Sequence, residues 1–116
     1  MKVTSPNWNF IFLVNKGDIA GAISNYFTYR TQIDVTRYCN GTKEYSSLSI
    51  FRKYFERIKV LQLNIEDVLM EEGILSYSMF LITKNKFGQI DFTEHRIVNK
   101  WEGDKISGHS HTITPH

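Results

Sequence analysis

The residues best suited to chemistry lie near the C-terminal end of the chain. His109-Ser110-His111 places two imidazoles two residues apart. On a β-strand, successive side chains alternate between faces, so both rings point the same way. On the segment before it, Thr93, His95, Ile97, Asn99 and Trp101 also recur at every second residue and share one face. Histidine titrates near neutrality and suits acid–base work. Asn99 can hydrogen-bond a carbonyl group. His-x-His is also a metal-ligand spacing, and His95 could supply a third imidazole. Acid–base chemistry is the preferred reading, and neither a metal nor another cofactor is expected. His116 ends the chain.

These residues need elements to position them. Ser5-Pro6 starts a helix, with serine as cap and proline in the first turn. That helix carries Trp8, Ile11, Phe12 and Val14 and stops at Gly17. Asp18 caps a second helix whose apolar residues are Ile19, Ala22, Ile23, Tyr26 and Phe27. From Tyr29 to Tyr38 the pattern alternates like a strand, and Asn40-Gly41 marks a turn. A third helix from about Ser47 has Leu48, Phe51, Phe55 and Ile58 on one face. The remainder reads as a meander of strands over Val60 to Met70, Ile74 to Lys84, Ile90 to Trp101 and Ile106 to Thr114. Turns fall at Glu71-Glu72-Gly73 and at Glu102-Gly103-Asp104-Lys105. The order is α-α-β-α-β-β-β-β, an α+β fold with a curved sheet over its helices. A pocket is expected between the two layers.

Composition narrows the functional classes. The 116 residues are 41% hydrophobic, 14% aromatic and 22% charged, and their net charge is +2. One domain over 1–116 fits this length. The charge is too balanced to imply nucleic acid or a membrane surface. The densest basic group, Arg52, Lys53, Arg57 and Lys59, reads as a solvated helix face. A single cysteine, Cys39, excludes an intrachain disulfide and fits a reducing compartment. It reads as a small thiol near a turn. Phe10 to Val14 is too short for a signal peptide core, and no run approaches a membrane span. A soluble, cytoplasmic protein is expected.

Four features together resemble the nuclear transport factor 2-like superfamily, in particular its SnoaL-like polyketide cyclase and ketosteroid isomerase branch. They are the corner Asn15-Lys16-Gly17-Asp18-Ile19, the aromatic helix end Tyr26-Phe27, the helix Ile50-Phe51-Arg52-Lys53-Tyr54-Phe55-Glu56-Arg57-Ile58, and the hairpin Trp101-Glu102-Gly103-Asp104-Lys105-Ile106. The resemblance covers roughly residues 6 to 114. It implies a cone-shaped, mixed β-sheet wrapped over N-terminal helices, a deep apolar pocket, and a homodimer through the outer sheet face. It does not imply one activity, because the superfamily includes isomerases, cyclases, dehydratases, hydrolases and non-catalytic binding or adaptor domains.

The resemblance also implies a carboxylate on the first strand that shuttles a proton. Counting without gaps from the Gly-Asp corner places Asp34 there, whereas matching the hydrophobic alternation places Val35 there. One residue of slip turns a strand side chain to the opposite face. The branch's oxyanion donors fall near Phe10 and Ile97, neither of which can donate, so ketosteroid isomerisation by that constellation is not expected. The expected catalytic set is Asp34, His109 and His111, with His111 and Asp34 as a base–orienter pair. The expected ligand-lining set is Trp8, Phe12, His95, Asn99 and Trp101. Two functions follow. One is cofactor-free proton transfer on a small lipophilic carbonyl compound. The other is a non-catalytic ligand-binding, dimerisation or protein-interaction module.

Overall fold

The computed structural model describes residues 6–37 and 42–115. Helix α1 runs Pro6–Asn15 and α2 Ile19–Tyr26. Gly17, at φ 87°, makes the corner between them, a conformation that favours glycine. Asp18 caps α2, its Oδ1 accepting the Gly21 N–H at 2.9 Å. The cap presses close on Gly21. A Cβ there would lie 2.2 Å from the Asp18 carboxylate, so this position admits no side chain unless the cap moves.

Strand β1 spans Phe27–Arg37, starting two residues earlier than its alternation suggests. A short strand not evident in the sequence, β2 (Thr42–Ser46), pairs back on it. Ser47 then caps α3 (Leu48–Arg57), accepting the Ile50 N–H at 3.3 Å. The meander follows as β3 (Lys59–Glu71), β4 (Ile74–Lys84), β5 (Ile90–Glu102) and β6 (Lys105–Pro115). The expected helix-capping Ser5, the Asn40-Gly41 turn, Cys39 and His116 lie outside the described residues.

The sheet order is β2-β1-β6-β5-β4-β3. Only β1 and β6 pair in parallel, which makes the sheet mixed. Its inward face can be read as rows across the strands. Ile33, His109, Asn99 and Leu75 form one row. Val35, His111, Ile97 and Tyr77 form the next, and Arg37, Ile113, His95 and Met79 the third. The helices close this face: Phe10 and Val14 of α1, Ala22 and Ile23 of α2, and Phe51 and Phe55 of α3 are all buried. Burying their apolar surface drives the two layers together. No helix among the described residues is long and apolar enough to cross a membrane.

Candidate functional site

The two central strands β5 and β6 bring the polar residues together. His109, His111 and His95 are 5%, 2% and 1% exposed, and Asn99 is fully buried. Side chains in adjacent rows meet on the diagonal, which long residues can bridge. His95 Nδ1 lies 2.6 Å from His111 Nε2. His111 Nδ1 lies 3.1 Å from His109 Nε2. His109 Nδ1 lies 2.5 Å from Asn99 Oδ1. At the other end, Thr93 Oγ1 lies 2.8 Å from His95 Nε2. The result is one unbroken chain: Thr93, His95, His111, His109, Asn99.

Burial explains the electrostatics of this chain. It pushes His95 down to about 4, with the nearby positive charge of Arg37 adding to the effect. It pushes His109 down to about 3. His111 is held well below the ordinary histidine range by burial, and then by His95, His109 and Arg37. All three imidazoles are therefore neutral at pH 7. Each ring then has one donor and one acceptor nitrogen, which is what a head-to-tail chain requires. Burial also pushes the Tyr77 hydroxyl up, so it stays protonated.

Aromatic rings wall the chain. The His109 ring centre lies 5.1 Å from Phe27 and 5.0 Å from Phe51. His111 stacks on Phe55 at 6.1 Å. In front of Phe51 and Phe55, between α3 and the ends of β1 and β6, is a pocket of about 120 Å³. Val35, Arg37, Ile50, Phe51, Tyr54, Phe55 and Ile113 line it. Arg37 is its one charged group, and its guanidinium sits 5.4 Å from the Tyr54 ring centre. An engineered apolar cavity of roughly 150 Å³ holds one benzene ring, so this pocket suits a single ring or a short chain.

Several expected site residues lie elsewhere. Asp34 is on the opposite face from Ile33 and Val35, because side chains alternate along β1, and it pairs with Ser110 rather than with either histidine. It lines an outer groove with Lys100 and Ser110, and Val35 takes the inward position beside His111. The expected His111–Asp34 pair therefore does not form. Trp8 and Phe12 are 59% and 55% exposed. They are two residues from the buried Phe10, about 200° around the helix, so they point away from the sheet. Trp101 does face inward. It packs edge-on against Phe10 and Tyr26 at 6.1 and 5.6 Å, and its indole Nε1 is buried with no hydrogen-bond partner among the described residues. Asn99 Nδ2 is in the same state.

Phe10 and Ile97 are buried core residues. Thr93, Arg37 and Tyr54 join the site without having been singled out for it. Thr93 and Arg37 carried a signal, since each continues the inward alternation of its strand by one further step. Among the described residues, no group of three or more histidine, cysteine, aspartate or glutamate side chains is arranged to hold a metal. The histidine nitrogens pair with one another rather than converge on a point.

No protein-family model matches the chain, and no curated protein is similar to it in sequence. Solved structures are similar in fold. A Mesorhizobium loti protein described as a candidate SnoaL-like polyketide cyclase superposes with a TM-score of 0.70 at 16% identity, over 96% of this chain and 98% of that one. A candidate isomerase from Rhodopseudomonas palustris gives 0.72 at 6% identity, over 97% and 91%. A nuclear transport factor 2-like protein of unknown function from Cytophaga hutchinsonii gives 0.62 at 12%, over 93% and 96%. At such identities the likeness speaks for the fold alone. By architecture, strand order and these neighbours, the chain has the nuclear transport factor 2-like fold.

Proposed function

We propose that this domain binds a small lipophilic carbonyl compound in the pocket beside α3 and moves a proton on it without a cofactor. The observation that supports this reading is the buried chain of three neutral histidines directly behind the aromatic wall of that pocket. Burying that many polar groups is costly, and a purely structural core would be built more cheaply from apolar side chains. Arg37 supplies the polar anchor. It stands in the same cross-strand row as His95, and its guanidinium can donate to a carbonyl oxygen or a developing enolate. This makes Arg37 the substitute for the oxyanion donors that Phe10 and Ile97 cannot provide. Phe51, Tyr54 and Phe55 would hold the flat apolar part of the ligand. The single-cysteine composition and balanced charge fit a cytoplasmic setting.

The test is a thermal-shift screen of the purified chain against single-ring aromatic ketones and short enones. A stabilising carbonyl compound is expected, with at least tenfold weaker binding to Arg37→Gln. Hydrogen bonds to charged groups contribute about 1.5–3 kcal/mol, which corresponds to that factor or more. Failure of the whole panel to stabilise the chain would count against the reading.

A second reading has its own support. The outer sheet face exposes Ile90 and Phe92, and Phe92 pairs with Ile82 across β4 and β5. Such a face suits a homodimer contact, with or without catalysis.

A further inference from the structure

The hydrogen-bonded chain has a direction, and the direction has a chemical consequence. At its inner end, the nitrogen His109 Nδ1 meets an oxygen, Asn99 Oδ1. An oxygen of an amide only accepts, so His109 Nδ1 carries the proton. His109 is neutral, so its Nε2 is an acceptor, and the partner nitrogen, His111 Nδ1, must donate to it. By the same step His111 Nε2 accepts from His95 Nδ1. His95 Nε2 is then left as an acceptor, and the Thr93 hydroxyl donates to it. One amide oxygen at the bottom of the core therefore sets the tautomer of all three rings. The order runs outward, with every basic nitrogen turned toward the rim.

Thr93 is the end that solvent and ligands can reach. It is half-buried and stands one row beyond His95, opposite Pro115 at the end of β6. Asn99, at the other end, is fully buried.

We infer that Thr93, His95, His111, His109 and Asn99 form a polarised proton relay, in which His95 Nε2 is the accepting end at the rim and Asn99 is the positioning residue that sets its direction. This rests on the proton-transfer reading above for its use, but its wiring is a property of the protein alone. The Thr93 hydroxyl gives its proton to His95 Nε2 and takes one from an acidic C–H or O–H group of the ligand, which keeps the electron pair as an enolate or alkoxide. The His95 Nδ1 proton passes to His111 Nε2. The His111 Nδ1 proton passes to His109 Nε2. His109 ends with both nitrogens protonated, its Nδ1–H still on Asn99 and its ring against Phe27 and Phe51. One proton has entered, and one positive charge has moved two rings inward. Charge on the chain lies in the field of Arg37 from β1, and Tyr77 of β4 stands in the row of His111 with Ile97 between them. From α3 the charge meets the uncharged rings of Phe51 and Phe55. Pairing an anionic ligand with Arg37 offsets the repulsion between that guanidinium and the loaded chain.

The experiment is long-range proton–nitrogen NMR on the full chain labelled with ¹⁵N-histidine, at pH 7 and without ligand. All three buried rings are expected as the Nδ1–H tautomer with a bare Nε2. A buried ring found with Nε2 protonated, or charged, overturns the assignment. The coupling is read from Asn99→Leu, which removes the oxygen at the inner end. A connected relay reverses, and His95, two rings away, changes to the Nε2–H tautomer. A change confined to His109 overturns the relay. The wild-type spectrum stands as a test even if that variant does not fold. Neither readout uses a ligand, so a failed relay and a failed ligand screen are separate results.

Discussion

His95 and His111 share a nitrogen–nitrogen hydrogen bond of 2.6 Å although they are not register partners. His95 stands opposite Ile113, and His111 stands opposite Ile97. The bond crosses the diagonal between two rows of the antiparallel β5–β6 pair. A short contact of this kind between two buried bases requires that one donates and the other accepts, so the two rings cannot both be charged.

Removing His111 should therefore harm the protein more than the loss of one side chain suggests. His111→Leu leaves His95 Nδ1 and His109 Nε2 buried without partners. Each orphaned group costs about 1–3 kcal/mol, so a loss of roughly 2–5 kcal/mol is expected from urea unfolding. A loss below about 0.5 kcal/mol would show that the chain carries no stabilising hydrogen bonds.

Stability should fall in acid over a defined window. The three histidines are neutral when folded and titrate near their ordinary value of 6.5 when unfolded. Below about 6.5 the unfolded chain binds protons that the folded chain does not, so acid favours unfolding. Their contribution is complete above about pH 7 and declines as the pH falls toward about 4 for His95 and about 3 for His109. The slope reaches about 1.4 kcal/mol per pH unit for each histidine. Melting temperature measured from pH 8 to pH 4 checks this, and the slope should shrink in His109→Leu. A flat profile between pH 6.5 and 4.5 would contradict neutral burial.

Asp34→Asn should leave ligand binding and the histidine chain unchanged. Its side chain is on the outer face, separated from His109 and His111 by the sheet itself. A ligand that stabilises the wild type should bind this variant with a Kd unchanged to within about twofold, a difference of about 0.5 kcal/mol or less. Loss of the ligand's effect would place the site on the outer face.

The first turn of α2 should tolerate no side chain at position 21 while Asp18 caps it. A Cβ on Gly21 would collide with the Asp18 carboxylate that caps the helix. Gly21→Ala is expected to destabilise by at least the value of a lost cap, about 1 kcal/mol, despite alanine's better helix propensity. In an Asp18→Ala background the same change should be neutral or stabilising, which a double-mutant cycle by thermal melting would show.

The outer face gives the last prediction. If Ile90 and Phe92 lie in a contact between two copies, Phe92→Glu should convert a dimer to a monomer in sedimentation velocity. A wild-type chain that is monomeric at high concentration would remove that contact.

Much of this molecule is legible in local pattern. Helices α1 to α3 follow from caps and apolar spacing, and Asp18 and Ser47 cap as their residue types suggest. The four long strands of the meander follow from period-2 alternation, and that alternation alone puts His95, Asn99 and Trp101 on one face and His109 and His111 on one face. These are short-range properties, set within a few residues of chain. Strand β2 was not legible, because five residues carry too little periodicity. The faces of Asp34, Trp8 and Phe12 were decided by register and by packing against α2 and β4. So was the joining of the histidines: nothing in the spacing of residues 93, 95, 99, 109 and 111 says that five side chains from two strands touch in a particular order. That order depends on the stagger between β5 and β6, and stagger is a long-range property that only the assembled sheet sets.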